Sequence, residues 1–148
     1  MTVVYSKGFY QTLEKSDGAV LAAADDLFTI TGGPIMVTEF IGIVTTVIGG
    51  VANCQVKLVV TEPAGTVNLS TNVAIDSDAA GTSYTFSAVD PGVLTPTTAG
   101  ALEVIPRIAW LCPIGTINAT CSAARTGNIK WYIGYYMLSQ FSKVVAAA

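Results

Sequence analysis

The chain has 148 residues, of which 51% are hydrophobic and 11% charged, with a net charge of −3 and no histidine. That length and apolar content exclude disorder and predict one domain with one core. The slight acidic balance excludes a counterion-release surface for nucleic acid, and the missing imidazole removes the commonest general base and zinc ligand.

Residues 1–26 read as an N-terminal arm or loop ahead of a single domain over 27–148. Tyr5, Phe9 and Tyr10 decorate the arm without a core-like period, and Lys7 and Lys15 interrupt any apolar h-region, so ordinary secretion is not expected. Residues 19–27, behind Ser16 and Asp17 as potential caps, read as a brief helix or as a loop leading into a strand. Residues 27–31 predict a strand, and Gly32, Gly33 and Pro34 a turn or bulge before a long strand over 35–48. In period two, Ile35, Val37, Glu39, Ile41, Ile43 and Thr45 share one face of that strand, while Met36, Thr38, Phe40, Gly42, Val44 and Thr46 share the other. Both faces are largely apolar, which places the strand between two layers or at a subunit contact. Residues 55–61 are expected to return across Gly49 and Gly50 as the second arm of a hairpin.

Further strands or extended segments are expected over 67–75, 83–89, 93–100, 101–111 and 114–120. The last, over 128–137, sets Ile129, Trp131, Ile133 and Tyr135 against Lys130, Tyr132, Gly134 and Tyr136, and nothing is expected to hold the alanine tail. Seven to eight short strands without βαβ alternation predict an all-β fold, an antiparallel β-sandwich or jelly roll. The uncharged stretches 40–56 and 108–124 fall short of the roughly 20 apolar residues of a spanning helix, so no membrane partner is expected.

Cys54, Cys112 and Cys121 form no CxxC pair; Cys112 and Cys121 either close a small disulfide loop or remain buried thiols, and Cys54 reads as a core residue. Asp76, Ser77, Asp78 and Gly81 resemble the start of a calcium loop but lack its later ligands, and a solvated turn is the expectation. Asp25 and Asp26 are adjacent carboxylates of the kind that sit in loops or caps. Without histidine no Ser-His-Asp or Cys-His arrangement forms, which leaves only a formal Ser-Lys pairing through Lys57 or Lys130. The triplets starting at Asn68 and Asn118 match the glycosylation pattern and read as ordinary turn or strand residues. No catalytic residue, cofactor or metal is expected. Aromatic residues on both faces of 128–137 suggest that one face fills the core while the other makes an interface with Tyr5, Phe9, Tyr10, Tyr132 and Tyr136; a sugar-stacking platform is the alternative.

The segments LFTITGGPIMVTEFIGIVTT, AAGTSYTFSA, TTAGALEVIP and TGNIKWYIGYYMLSQFSKVVAAA together resemble a group of small virion proteins of tailed bacteriophages. The resemblance runs from about Leu27 onward, and Tyr135, Tyr136, Met137 and Leu138 depart from the charged strand end expected of such proteins. It implies a head decoration or cement protein, β-rich and non-enzymatic, that sits on the capsid lattice and bridges capsomers. The partners would then be the major capsid protein and further copies of the chain, as a trimer or dimer made in the host cytoplasm and carried on the virion surface. A receptor- or glycan-binding module of a tail fibre or spike is the second expectation.

Overall fold

A computed structural model describes residues 10–16, 20–21, 23–86, 94–98, 100 and 108–148. It contains thirteen strand segments: β1 (Tyr10–Ser16), the two-residue β2 (Val20–Leu21), β3 (Ala24–Thr31), β4 (Ile35–Gly49), β5 (Val51–Val60), β6 (Gly65–Asn68), β7 (Val73–Asp76), β8 (Ser83–Phe86), β9 (Leu94–Thr97), β10 (Trp110–Cys112), β11 (Gly115–Cys121), β12 (Arg125–Met137) and β13 (Lys143–Ala146). They form two antiparallel sheets packed as a sandwich. The seven-stranded sheet runs β1-β12-β4-β8-β9, with β2 also on β12 and β10 also on β4; the six-stranded sheet runs β13-β3-β11-β5-β6, with β7 also on β5.

The sandwich agrees with the apolar, β-branched patterning, but the strand count exceeds the expected seven to eight. The additional segments, such as β6, are short pieces at sheet margins, where one side of the backbone is paired and an apolar period is not required; all four β6 residues are exposed. The chain ahead of Leu27, expected as an arm or loop, contributes β1, β2 and the start of β3, and residues 24–27 are strand, not helix. The alanine tail is also held: β13 pairs with β3, and the Ala147 N–H donates to the Leu27 carbonyl at 3.0 Å.

Two features of β4 differ from a plain period-two reading. Opposite β12, Glu39 faces Gly134 and Val37 faces Tyr135, so Thr38 is an extra residue and the strand changes phase there. Ile35 and Val37 point inward before the bulge, and Phe40, Gly42 and Val44 after it. The apolar residues on both nominal faces therefore belong largely to one inner face. At its far end β4 does not form a hairpin with β5. Gly50, at φ +92°, turns the chain out of the seven-stranded sheet into the six-stranded one.

The core is aromatic at its centre. Phe40 meets Phe28 across the sheets edge-on at 5.9 Å and lies 5.3 Å from Phe86, 5.4 Å from Trp131 and 6.1 Å from Trp110. Each such contact adds about 0.5–1.5 kcal/mol beyond burial alone. Gly42 makes room for the Trp131 ring, which a Cβ there would meet at 2.7 Å. Beside this core Lys15, 7% exposed, reaches from β1 to Asp25 on β3 at 3.1 Å and also donates to the Asp26 carbonyl, tying the sheet edges together.

The cysteines pair otherwise than expected. Cys54 and Cys121 are directly opposite in the β5–β11 ladder, with Cα atoms 4.0 Å apart, and form a disulfide. Cys112 lies in the other sheet, buried and free, and burial pushes its thiol pKa up to about 12.

Candidate functional site

Alternation along β12 sends Ile133 and Tyr135 into the core, which leaves Tyr132, Gly134 and Tyr136 on the outer face of the seven-stranded sheet. Tyr136 sits opposite Tyr10 on β1 and Met36 on β4, and Met36 sits opposite Leu111 on β10. Four strands thus place Tyr10, Tyr136, Met36 and Leu111 in one transverse row. Tyr10 is 40% exposed, Tyr136 36% and Leu111 71%. Leu138, also exposed, follows on the same side, with its N–H bonded to the Pro34 carbonyl at 3.3 Å, and the turn behind it carries exposed Phe141. Large contiguous apolar patches on a folded surface mark sites of contact with another molecule.

Next to the row lies a groove of about 490 Å³ lined by residues of β1, β4 and β12, including Thr12, Glu14, Glu39, Ile41, Ile43 and Tyr132. The Tyr10 ring closes one end by lying over Gly134, the position on β12 where any Cβ would strike its hydroxyl. That hydroxyl donates to Glu39 at 2.6 Å; partial burial and then the Glu39 carboxylate raise the Tyr10 pKa to about 12. Across the groove Glu14 pairs with Lys130 at 2.8 Å, and the Lys130 ammonium lies 5.6 Å from the Tyr132 ring centre. The hydrogen bond with Glu14 raises the Lys130 pKa. Among the described residues no cation stands within ion-pairing distance of Glu39.

The expected interface residues Tyr10, Tyr132 and Tyr136 share this face, whereas Tyr5 and Phe9 lie outside the described residues. Met36, Leu111, Leu138 and Glu39 were not among the interface residues expected from the sequence. Leu111 carried a signal, because a strand with Ile108 and Trp110 on its inner side must turn Leu111 outward.

The other candidates make contacts within the fold. Asp78 accepts the hydroxyl hydrogen bond of buried Tyr84, and the Asp78 carbonyl accepts the Ile48 N–H at 3.1 Å, so the 76–81 segment is a turn locked onto β4. Asp25 is held by Lys15, and Asp26 accepts from the Asn118 amide at 2.8 Å, so these neighbouring carboxylates work on opposite sides of β3. The Ser70 hydroxyl is buried and accepts the Val56 N–H at 2.9 Å, and Thr120 donates to Asn118 at 2.8 Å. Lys57 sits in the ladder between Asn118 and Asn68. Among the described residues no group of three or more His, Cys, Asp or Glu is placed to hold a metal ion. Comparison with protein-family models, curated proteins and solved structures finds no match.

Proposed function

We propose that this chain is a non-enzymatic virion structural protein of the decoration or cement type, which binds the outer face of a tailed-phage head as a homo-oligomer and bridges capsomers. The observation that carries the reading is the transverse row of exposed Tyr10, Tyr136 and Leu111 with half-buried Met36 among them, on an otherwise well-formed sandwich. A shell protein must bury apolar area on a second surface as well as in its core, and this row offers that surface in a rigid, pre-ordered form. Shell opening would then require the apolar contact to break first.

The sugar-platform alternative draws less support. The Tyr10 and Tyr136 rings are tilted by 55°, not coplanar, and the Tyr10 hydroxyl is already engaged by Glu39. The test is co-sedimentation of the purified protein with phage heads that lack a decoration layer, followed by melting of the heads. Binding with a raised head melting temperature is expected. A protein that stays in the supernatant would overturn the reading, and hits on a glycan array would replace it.

A further inference from the structure

The groove beside Tyr10 has an apolar floor, Ile41 and Ile43, and a carboxylate, Glu39, with a phenol partner but no cation among the described residues. Residues 1–9, MTVVYSKGF, supply the complement: Val3, Val4 and Tyr5 are apolar, Lys7 is cationic, and no carboxylate is present. We infer that the 1–9 segment of one copy lies in this groove of a second copy, with Lys7 paired to Glu39. The inference rests on the self-association in the proposed function, not on its capsid.

Direction favours a second copy over the chain's own segment. Strand β1 begins at Tyr10, and the groove lies beside the residues that follow, Thr12 and Glu14. To enter its own groove the segment would have to double back over the Tyr10 ring, which covers that end at Gly134. A neighbour's segment enters from the other end, beside Ile43 and Lys130, without a reversal. The volume, about 490 Å³, falls in the range that holds a few side chains. Because donor segment and acceptor groove are different surfaces, the contact closes either reciprocally about a two-fold axis, each copy filling the other's groove, or head-to-tail into a ring, so it serves a dimer and a trimer alike. Tyr5, Tyr10 and Tyr132 would meet in one interface.

Charge reversal separates exchange between copies from docking within a chain. Lys7→Glu and Glu39→Lys each place like charges together, and each is expected to weaken self-association on the order of tenfold or more, seen by light scattering as a shift towards monomer mass. Mixing the two single variants in equal amounts should restore association, since the reversed segment of one then meets the reversed groove of the other, and the wild-type pair forms in the reciprocal contact. An odd-membered ring keeps one mismatched contact, so the mixture recovers in part, and a chain carrying both reversals should recover in full. Glu39→Gln, which keeps the hydrogen bond from Tyr10, should also weaken association without changing the circular dichroism spectrum, and serves if a reversal misfolds. A monomeric wild-type protein, single variants with unchanged mass, or a mixture that stays monomeric would each overturn the inference. A mixture that reassembles but ignores phage heads would spare it and defeat the proposed capsid role alone.

Discussion

The outer faces of the two sheets are built by the same alternation yet carry different chemistry. Across the six-stranded sheet, Val145, Thr29, Thr116, Val59 and Thr66 stand in register, and the next row sets Lys57 between Asn118 and Asn68. Hydroxyls and amides intersperse the valines, so that face meets water on ordinary terms. The seven-stranded sheet instead concentrates two tyrosines, a methionine and a leucine in one row beside a groove with a carboxylate. Covalent reinforcement falls on the polar side: the disulfide is in the six-stranded sheet, while the seven-stranded sheet holds the free Cys112. One sheet is cross-linked and carries polar residues among its outer valines; the other holds the free thiol and an outer row of large apolar side chains.

Reduction of Cys54–Cys121 should have the largest effect. The bond links residues 67 apart, and the chain-entropy model gives about 4 kcal/mol of unfolding free energy for such a loop. Denaturant unfolding with and without reductant measures it, and an unchanged midpoint would show that the polar sheet does not depend on its cross-link. Cys112 should resist thiol reagents until the protein unfolds.

Leu111→Asp tests the apolar row of the seven-stranded sheet. It should weaken head binding by roughly 30-fold, the scale of an interface hot spot of about 2 kcal/mol, while Val59→Asp on the opposite face leaves binding unchanged. Equal losses from both substitutions would erase the functional difference between the faces. Lys15→Ala tests the edge where the sheets meet. It should cost about 1–2 kcal/mol of stability, less than a fully buried pair, because Asp25 remains 30% exposed and can rehydrate.

The smallest effect is alkaline. The folded Tyr10 pKa, about 12, lies above the ordinary 10.0, so the unfolded chain ionises first. The contribution of Tyr10 to stability is therefore complete below pH 10 and is lost as pH rises towards 12. Phenolate absorbance should show Tyr10 titrating late, together with Tyr84, whose pKa is raised by burial and by Asp78. Glu39→Gln should bring the Tyr10 titration down.

Much of β12 was legible because its inward set, Ile129, Trp131, Ile133 and Tyr135, keeps a single phase over the strand, and all four are buried. The long β4 run was legible as a strand but not as a surface. Its two nominal faces were both apolar, and only pairing with β12 reveals the extra residue at Thr38 that merges them. Gly49 and Gly50 carry the same local signal for a hairpin and for a change of sheet, since a reversal and a corner both need glycine. Tyr136 was a visible interface candidate, whereas Met36 joined its row only when β12 and β10 took their places on either side of it.

The sequence by itself determined an all-β chain with a dense apolar core and no histidine-based chemistry, because composition and two-residue alternation are properties of neighbouring residues. Only the tertiary structure decided that Cys54 joins Cys121, that β4 and β5 occupy different sheets, and that residues 10, 36, 111 and 136 form one row. Those outcomes depend on hydrogen-bond register between strands far apart in the chain, and a single bulge is enough to change which side chains meet.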